Sequence, residues 1–181
     1  MDIKNVKVIG GIGVILPFLG FVPYLGFIFS IGGSVLQIIA FYQLGNLVNK
    51  DIFKKWIIGY LISISSIIFA LIIGILFGGL SFFLKRDNLS YGLSFGVFVG
   101  IAITFLLFWI GTIIASNFYK KSYILVGEYF NLDLFKMAGD FLFWGAISSI
   151  ILVGFILMFV SNILLACGFF SLPSTLEKKN A

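Results

Sequence analysis

Three carboxylates in the most polar part of the chain have types and spacing that could do acid–base or metal chemistry. Asp133 and Asp140 are seven residues apart, which places both on one face of a helix, and Glu128 precedes them. Such a face could accept a divalent cation or an acidic pair. Lys136 lies three residues after Asp133 and four before Asp140, so a lysine-paired, capping or solvated role is favoured. We therefore expect no catalytic or metal site.

The residues that are missing exclude several other chemistries. The chain contains no histidine, which removes Ser-His-Asp and Cys-His catalysis and the usual ligand of zinc and haem sites. Its one cysteine, Cys167, lies in an apolar run, where a small buried hydrophobe is expected. We expect neither enzymatic activity nor a bound cofactor.

Two amides stand out in the apolar part of the chain, Gln37 and Asn162. An unpaired amide in hydrocarbon is costly, so each needs a hydrogen-bond partner. In one interpretation they form an intramembrane polar site between the second helix and the C-terminal hairpin. In the other they hold helices together, a role worth about 1 kcal/mol or less for each hydrogen bond.

The elements that position these residues are long runs without charge. Val8 to Asn49 contains no charged side chain over 42 positions, and Trp56 to Leu84 and Asn88 to Tyr119 are also uncharged. A helix needs roughly 20 apolar residues to cross a hydrocarbon core of about 30 Å. The runs predict a multi-pass protein of the cell membrane.

Composition supports the same class, because 61% of residues are hydrophobic and 10% are charged, whereas soluble domains carry about 25% charged residues. The net charge of +5 lies in the connections beside the membrane. It favours anionic lipid headgroups at the cytoplasmic face as partners and argues against nucleic acid.

The runs predict one all-α transmembrane domain over residues 1–181, ending in a polar tail at 173–181. The first run is too long for one helix and is expected to form a hairpin broken near Pro23, with a re-entrant first helix as an alternative. The predicted helices cover residues 5–22, 24–48, 56–83, 90–118, 134–153 and 155–172, the last two separated near Gly154.

The number of spans is five or six, and charge asymmetry favours six. With six spans, ten lysines lie on one side, and only Lys85 and Arg86 lie on the other. Five spans also obey the positive-inside rule, less cleanly, and both counts place the N-terminus in the cytoplasm. The ten lysines are Lys4, Lys7, Lys50, Lys54, Lys55, Lys120, Lys121, Lys136, Lys178 and Lys179.

Small residues recur at spacings of four on the third and fourth predicted helices. Such stripes let helix backbones approach closely. Close packing matters in lipid because the hydrophobic effect does not drive helices together there. The two helices are expected to pack together, and the stripes also allow a homo-oligomer or a membrane-protein partner. The helix-packing residues are Ser66, Ala70, Gly74, Gly78, Gly92, Gly96, Gly100 and Thr104.

Several segments resemble a known family of integral membrane proteins. The similarity extends from residue 7 to residue 172, and the family is the archaeal and bacterial one catalogued as domain of unknown function nine hundred and ninety-six. It implies a small multi-pass membrane protein and supplies no activity, cofactor or catalytic residue. The segments are Ile9–Gly13, Phe21–Gly26, Phe118–Lys121, Leu134–Gly139, Ile151–Phe155 and Phe169–Leu172.

Three functions from different classes fit this sequence, and the least favoured is a membrane enzyme that acts at the cytoplasmic interface with Glu128, Asp133 or Asp140. A structural, scaffold or accessory subunit is favoured by the glycine stripes and the lack of reactive residues. A small-molecule transporter or channel is the alternative, which Gln37, Asn162 and a weak repeat between the terminal hairpins allow. The long uncharged runs provide no intramembrane charge that could couple ions or protons.

The stripe generates a prediction that rests on sequence alone. Gly96→Ile places a branched side chain where close helix packing is predicted, so the fold or a dimer should weaken. Thermal unfolding in detergent measures the effect, and unchanged stability would count against the stripe.

Overall fold

A computed structural model describes the backbone of residues 3–21, 25–83 and 90–175, and side chains in the same ranges except at 21, 78–83 and 90–96. Every regular element in these ranges is a helix, which confirms the all-α prediction. The elements are α1 (Ile3–Ile15), a 3₁₀ helix (Leu16–Phe21), α2 (Gly26–Leu47), α3 (Lys50–Phe83), α4 (Ser90–Phe130), α5 (Asp133–Ile147), a 3₁₀ turn (Ser148–Ile150) and α6 (Leu152–Phe170).

Five helical segments of the described chain are long and apolar enough to cross a membrane, as expected for a membrane protein. The shorter α5 has 15 residues and includes Asp133, Lys136 and Asp140. The five segments are Ile3–Gly20, Gly26–Leu47, Lys50–Phe77, Val97–Phe130 and Leu152–Phe170.

Helix α4 is longer than predicted. The sequence predicts an end at 118 because Lys120 and Lys121 follow, but α4 continues to Phe130 and has 41 residues. Lysine is a good helix former and does not end a helix. The added turns are well packed, because Ser122, Tyr123 and Val126 are all buried.

The break between the last two helices also differs from the prediction. It lies at Ser148–Ile151, several residues before the expected site near Gly154. The Ser149 hydroxyl donates to the Ala146 carbonyl, 2.8 Å away, and ties down the end of α5. Gly154 has another role, because a Cβ at this buried position would collide with the backbone of Ser148 and Ser149. Its lack of a side chain lets the turn fold back closely onto α6.

The first helical segment changes from an α-helix to a 3₁₀ helix after Ile15. Helix α1 ends at Ile15 and becomes a 3₁₀ helix that contains Pro17. The predicted break near Pro23 lies outside the described residues.

Helix α3 begins at Lys50, earlier than the predicted start at 56, because Asn49 Oδ1 accepts the Asp51 backbone N–H at 2.9 Å.

The six α-helices of the described chain form a closed ring in chain order. Each packs on the next, and α6 packs back on α1. The buried core occupies one end of this ring, where the first turns of α1, α3 and α5 meet the last turns of α2, α4 and α6. Most of the lysines flank this end in the sequence, and we refer to it as the lysine-rich end.

Two glycines of the predicted stripe provide a matched test of α3–α4 packing. A Cβ at Gly100 would lie 2.5 Å from Phe77 Cβ, whereas a Cβ at Gly74 meets nothing within 4 Å. We expect Gly100→Leu to lower the free energy of unfolding by about 1–3 kcal/mol through overpacking, and Gly74→Leu to leave it nearly unchanged. Thermal unfolding in one detergent compares them, and equal destabilisation would contradict the packing described.

Candidate functional site

The carboxylates singled out by sequence lie on the outside of the lysine-rich end, where lysines pair with two of them. Asp140 Oδ1 is 2.7 Å from Lys120 Nζ, and Asp133 Oδ1 is 3.0 Å from Lys136 Nζ. Glu128 is exposed. Each aspartate therefore already has a cationic partner, and Lys120 also lies over the ring of Phe143, 5.1 Å from its centroid. This arrangement ties α4 to α5 and leaves the carboxylates poorly placed to bind a metal ion together.

The two intramembrane amides contact different helices. Gln37 Nε2 donates to the Gly13 carbonyl of α1 at 2.9 Å, and a Cβ at Gly13 would lie 2.9 Å from the Gln37 backbone nitrogen. Asn162 Nδ2 donates to the Met158 carbonyl of its own helix at 2.9 Å. Helix α1 packs on α2 and on α6, so it occupies the space in which a site between these two helices was predicted.

A small cleft lies beside Asn162. It has a volume of about 260 Å³ and lies between α1 and α6, with Val14 and Pro17 on one side and Met158 and Phe159 on the other. Its walls are apolar apart from the asparagine. Gln37 does not line this cleft.

The prediction that Cys167 is buried is wrong, because its side chain is exposed. It lies on α6 and lines a second cleft against α1, whose walls are apolar and include Ile15 and Phe170. An apolar neighbourhood in the sequence does not distinguish a side chain that faces the protein from one that faces lipid. Cys167 therefore belongs to the outer, apolar surface of the ring.

The small-residue stripe divides into packed and open positions. Phe77 packs at Gly100, and the Ser66 side chain packs at Gly111, a glycine that the stripe did not include. Ala70, Gly74 and Thr104 instead line a groove of about 370 Å³ on the α3–α4 pair. Gly78, Gly92 and Gly96 lie outside the part of the chain whose side-chain packing is described.

Thr104 is the polar residue among those that line the groove on α3–α4. Thr104 Oγ1 is buried and has no hydrogen-bond partner among the described residues. The other walls come from apolar side chains, including Ile67, Leu71, Ile75 and Phe108. We refer to this surface as the α3–α4 groove.

An aromatic cluster that was not predicted from the sequence fills the lysine-rich end of the ring. Phe41 stacks on Trp56 with a centroid distance of 5.0 Å and on Tyr123 at 5.6 Å. It also meets Phe169 edge to face at 5.5 Å, and Phe169 meets Phe135 at 5.3 Å. These five side chains come from α2, α3, α4, α5 and α6, and all are buried. We refer to them as the aromatic cluster.

Helix α1 joins the cluster through glycine. A Cβ at Gly10 would collide with the Phe169 ring, so only a glycine lets α1 approach this closely. The sequence contained one signal for the cluster: aromatic residues stand within a few positions of lysines at several helix ends. That signal does not reveal which rings face inward, because aromatic residues also collect at lipid interfaces.

Buried hydroxyls add hydrogen bonds between helices near the cluster. Ser122 Oγ on α4 donates to the Ile52 carbonyl of α3 at 2.8 Å, and Ser161 Oγ on α6 donates to the Ala138 carbonyl of α5 at 2.6 Å. Trp109 Nε1 donates to the Ala146 carbonyl at 3.1 Å, which joins α4 to the end of α5. Side chains thus bind backbone carbonyls across three helix pairs.

The aromatic cluster predicts a large difference between two phenylalanines of the same helix. Phe41 has no exposed surface, whereas Phe27 is 75% exposed. We expect Phe41→Ala to cost about 3–5 kcal/mol of stability and Phe27→Ala to have a small effect, because its ring has little protein to lose contact with. Unfolding of both variants in the same detergent checks this, and similar losses would argue against a central role for Phe41.

Comparisons with known proteins find relatives of unknown function. A family model described as "Protein of unknown function (DUF996)" matches residues 29–163. An uncharacterized protein of Methanocaldococcus jannaschii is 35% identical over 184 residues, and the alignment covers 99% of this chain and 98% of that protein. No solved structure matches the chain.

Proposed function

The chain belongs to the DUF996 family of proteins of unknown function, and we propose that it is a non-enzymatic structural or accessory subunit of the cell membrane. In this role it binds an apolar transmembrane helix, from another membrane protein or from a second copy of itself. Its N-terminus and lysine-rich end face the cytoplasm, where the lysines contact anionic lipid headgroups.

The observation that carries this proposal is the α3–α4 groove. Helices in lipid associate through close packing and hydrogen bonds, for which small residues and hydroxyls are suited. Ala70 and Gly74 provide small residues on a surface that the described chain leaves open, and the Thr104 hydroxyl is buried beneath that surface. Because a Cβ added at Gly74 would meet no atom of the described chain within 4 Å, the small size of this residue serves no packing there.

The interior of the ring supports the same function. The aromatic cluster fills the lysine-rich end, and the Gln37 amide donates to a backbone carbonyl of α1. Groups that satisfy one another in this way stabilise a fixed packing of helices. A passage for a polar solute would instead need polar groups that line an open path.

A transporter or channel is the second candidate, and one observation favours it. Asn162 lines the cleft between α1 and α6, so an intramembrane amide is accessible from a cavity of about 260 Å³. In this case Asn162 would contact a small neutral solute. Gln37 would act indirectly, by holding α1 against α2.

Gly74→Leu tests the structural role directly. The leucine fills the α3–α4 groove without a clash in the described chain, so we expect the partner helix to be lost while the monomer stays as stable as wild type. The measurement is native mass spectrometry of the protein purified from its own membrane in mild detergent, which counts the chains in each particle. Gly74→Ala is the control, because a methyl group leaves most of the groove open.

Two results would contradict the structural role. One is a wild-type particle that contains a single chain at all protein concentrations. The other is glycerol uptake by proteoliposomes, measured by light scattering. It would contradict the structural role if wild type and Gly74→Leu take up glycerol and Asn162→Leu does not. That pattern would assign the function to the cleft at Asn162.

A further inference from the structure

The turn between α5 and α6 exposes apolar side chains, and of its two serines Ser149 donates its hydroxyl to the Ala146 carbonyl. Ile150, Ile151 and Leu152 are 57%, 63% and 83% exposed, and no charged residue occurs between Asp140 and Glu177. The connection between α3 and α4 has the opposite composition, since its sequence contains Lys85, Arg86 and Asp87. A turn that emerges into water is normally polar, so the α5–α6 turn lacks the composition of a water-facing loop.

The nearest charges on α5 and α4 mark the depth at which this hairpin enters lipid. The Asp140 side chain is 53% exposed on the outside of the ring and binds Lys120. An exposed carboxylate is costly in hydrocarbon, so the pair belongs at the level of the headgroups or just inside them. Lipid contact on α5 therefore begins close to Asp140.

The length of the hairpin beyond this level is too short to cross a bilayer. From Asp140 to Ile147 the α-helix rises about 11 Å, and the three residues of the 3₁₀ turn add about 6 Å. The other arm agrees, because Ser161 on α6 binds the Ala138 carbonyl and the helix from Ser161 back to Leu152 rises about 14 Å. From the level of Asp140, each arm of the hairpin therefore reaches through about half of the 30 Å hydrocarbon core.

The remaining part of α6 does not add to this depth. Gly168 and Phe169 pack against Phe135. Phe135 lies in the first turn of α5, farther from the α5–α6 turn than Asp140. Helix α6 is long enough to span a membrane by itself, but its last turns lie in the lysine-rich end, beside the aromatic cluster. Its length is therefore divided between the headgroup region and the lipid.

We propose that α5 and α6 form a re-entrant hairpin whose apolar turn contacts lipid acyl chains near the middle of the bilayer. The hairpin enters and leaves through the same leaflet, so the beginning of α5 and the end of α6 lie on one side of the membrane. This topology differs from two complete crossings of α5 and α6, and it is independent of the proposed structural role. Helices α3 and α4, in contrast, extend about 42 and 47 Å beyond Lys55 and Lys121, enough to cross completely.

Single cysteines in the full chain test this topology. Cys167→Ala first removes the native thiol, and Leu152→Cys, Asp87→Cys and Glu128→Cys are then made one at a time. A membrane-impermeant maleimide is applied to sealed right-side-out and inside-out vesicles. We expect Glu128→Cys to react from one side, Asp87→Cys from the other, and Leu152→Cys from neither until detergent is added. Reaction of Leu152→Cys from the side that labels Asp87→Cys would overturn the proposal.

Fluorescence quenching measures the depth independently. A fluorophore on Leu152→Cys, attached in detergent and reconstituted, should be quenched more by a nitroxide placed deep in the acyl chain than by one on the headgroup. Stronger quenching from the headgroup would refute a mid-membrane turn. Leu152 is 83% exposed, so its replacement removes little packing, and Ile151→Cys provides a second variant with the same expected result.

Discussion

The packing of Phe41 against its aromatic neighbours is the interaction on which the rest of this structure depends. Five helices contribute a ring to the aromatic cluster, and the sixth reaches it through Gly10. Helices inside a bilayer gain little from burying apolar surface against one another, because lipid tails are equally apolar. In the orientation that we propose, the lysine-rich end and its cluster lie next to the headgroups and water, where burial of large rings does lower the free energy. The ring of helices is thus closed where the hydrophobic effect can act.

Away from this end, other forces hold the helices together. Glycine contacts at Gly13 and Gly100 bring backbones close, and Gln37 and Trp109 donate to carbonyls of neighbouring helices. Each of these interactions contributes less than the burial of an aromatic ring. We therefore expect the strongest packing at the lysine-rich end and weaker packing away from it. The surface that we propose for a partner helix lies in the less strongly held part.

The helices themselves could be predicted from the sequence because long uncharged apolar runs are typical of membrane-spanning helices. Their ends among polar residues could not: Lys120 and Lys121 suggest an exit from the membrane, yet they lie within α4, and Lys120 has a carboxylate partner twenty residues later. Gly154 suggests a break because glycine weakens helices, whereas its actual role depends on the nearby turn. The aromatic cluster depends on contacts among distant residues, which composition does not encode. The sites at Gln37 and Asn162 stay predictions, and the structure adds their separate hydrogen-bond partners.

The unequal lengths of the helical hairpins relate the protein to the thickness of its membrane. The apolar part of α3–α4 exceeds a hydrocarbon core of about 30 Å, so this pair must tilt, extend into the far headgroups or thicken the bilayer around it. The ring holds the pair at the lysine-rich end and, through Trp109, as far as the end of α5, which leaves tilting of the part beyond it as the response with the fewest broken contacts. Each choice costs a fraction of a kcal/mol per ångström of mismatch. The chain is therefore expected to accumulate where the bilayer is thickest.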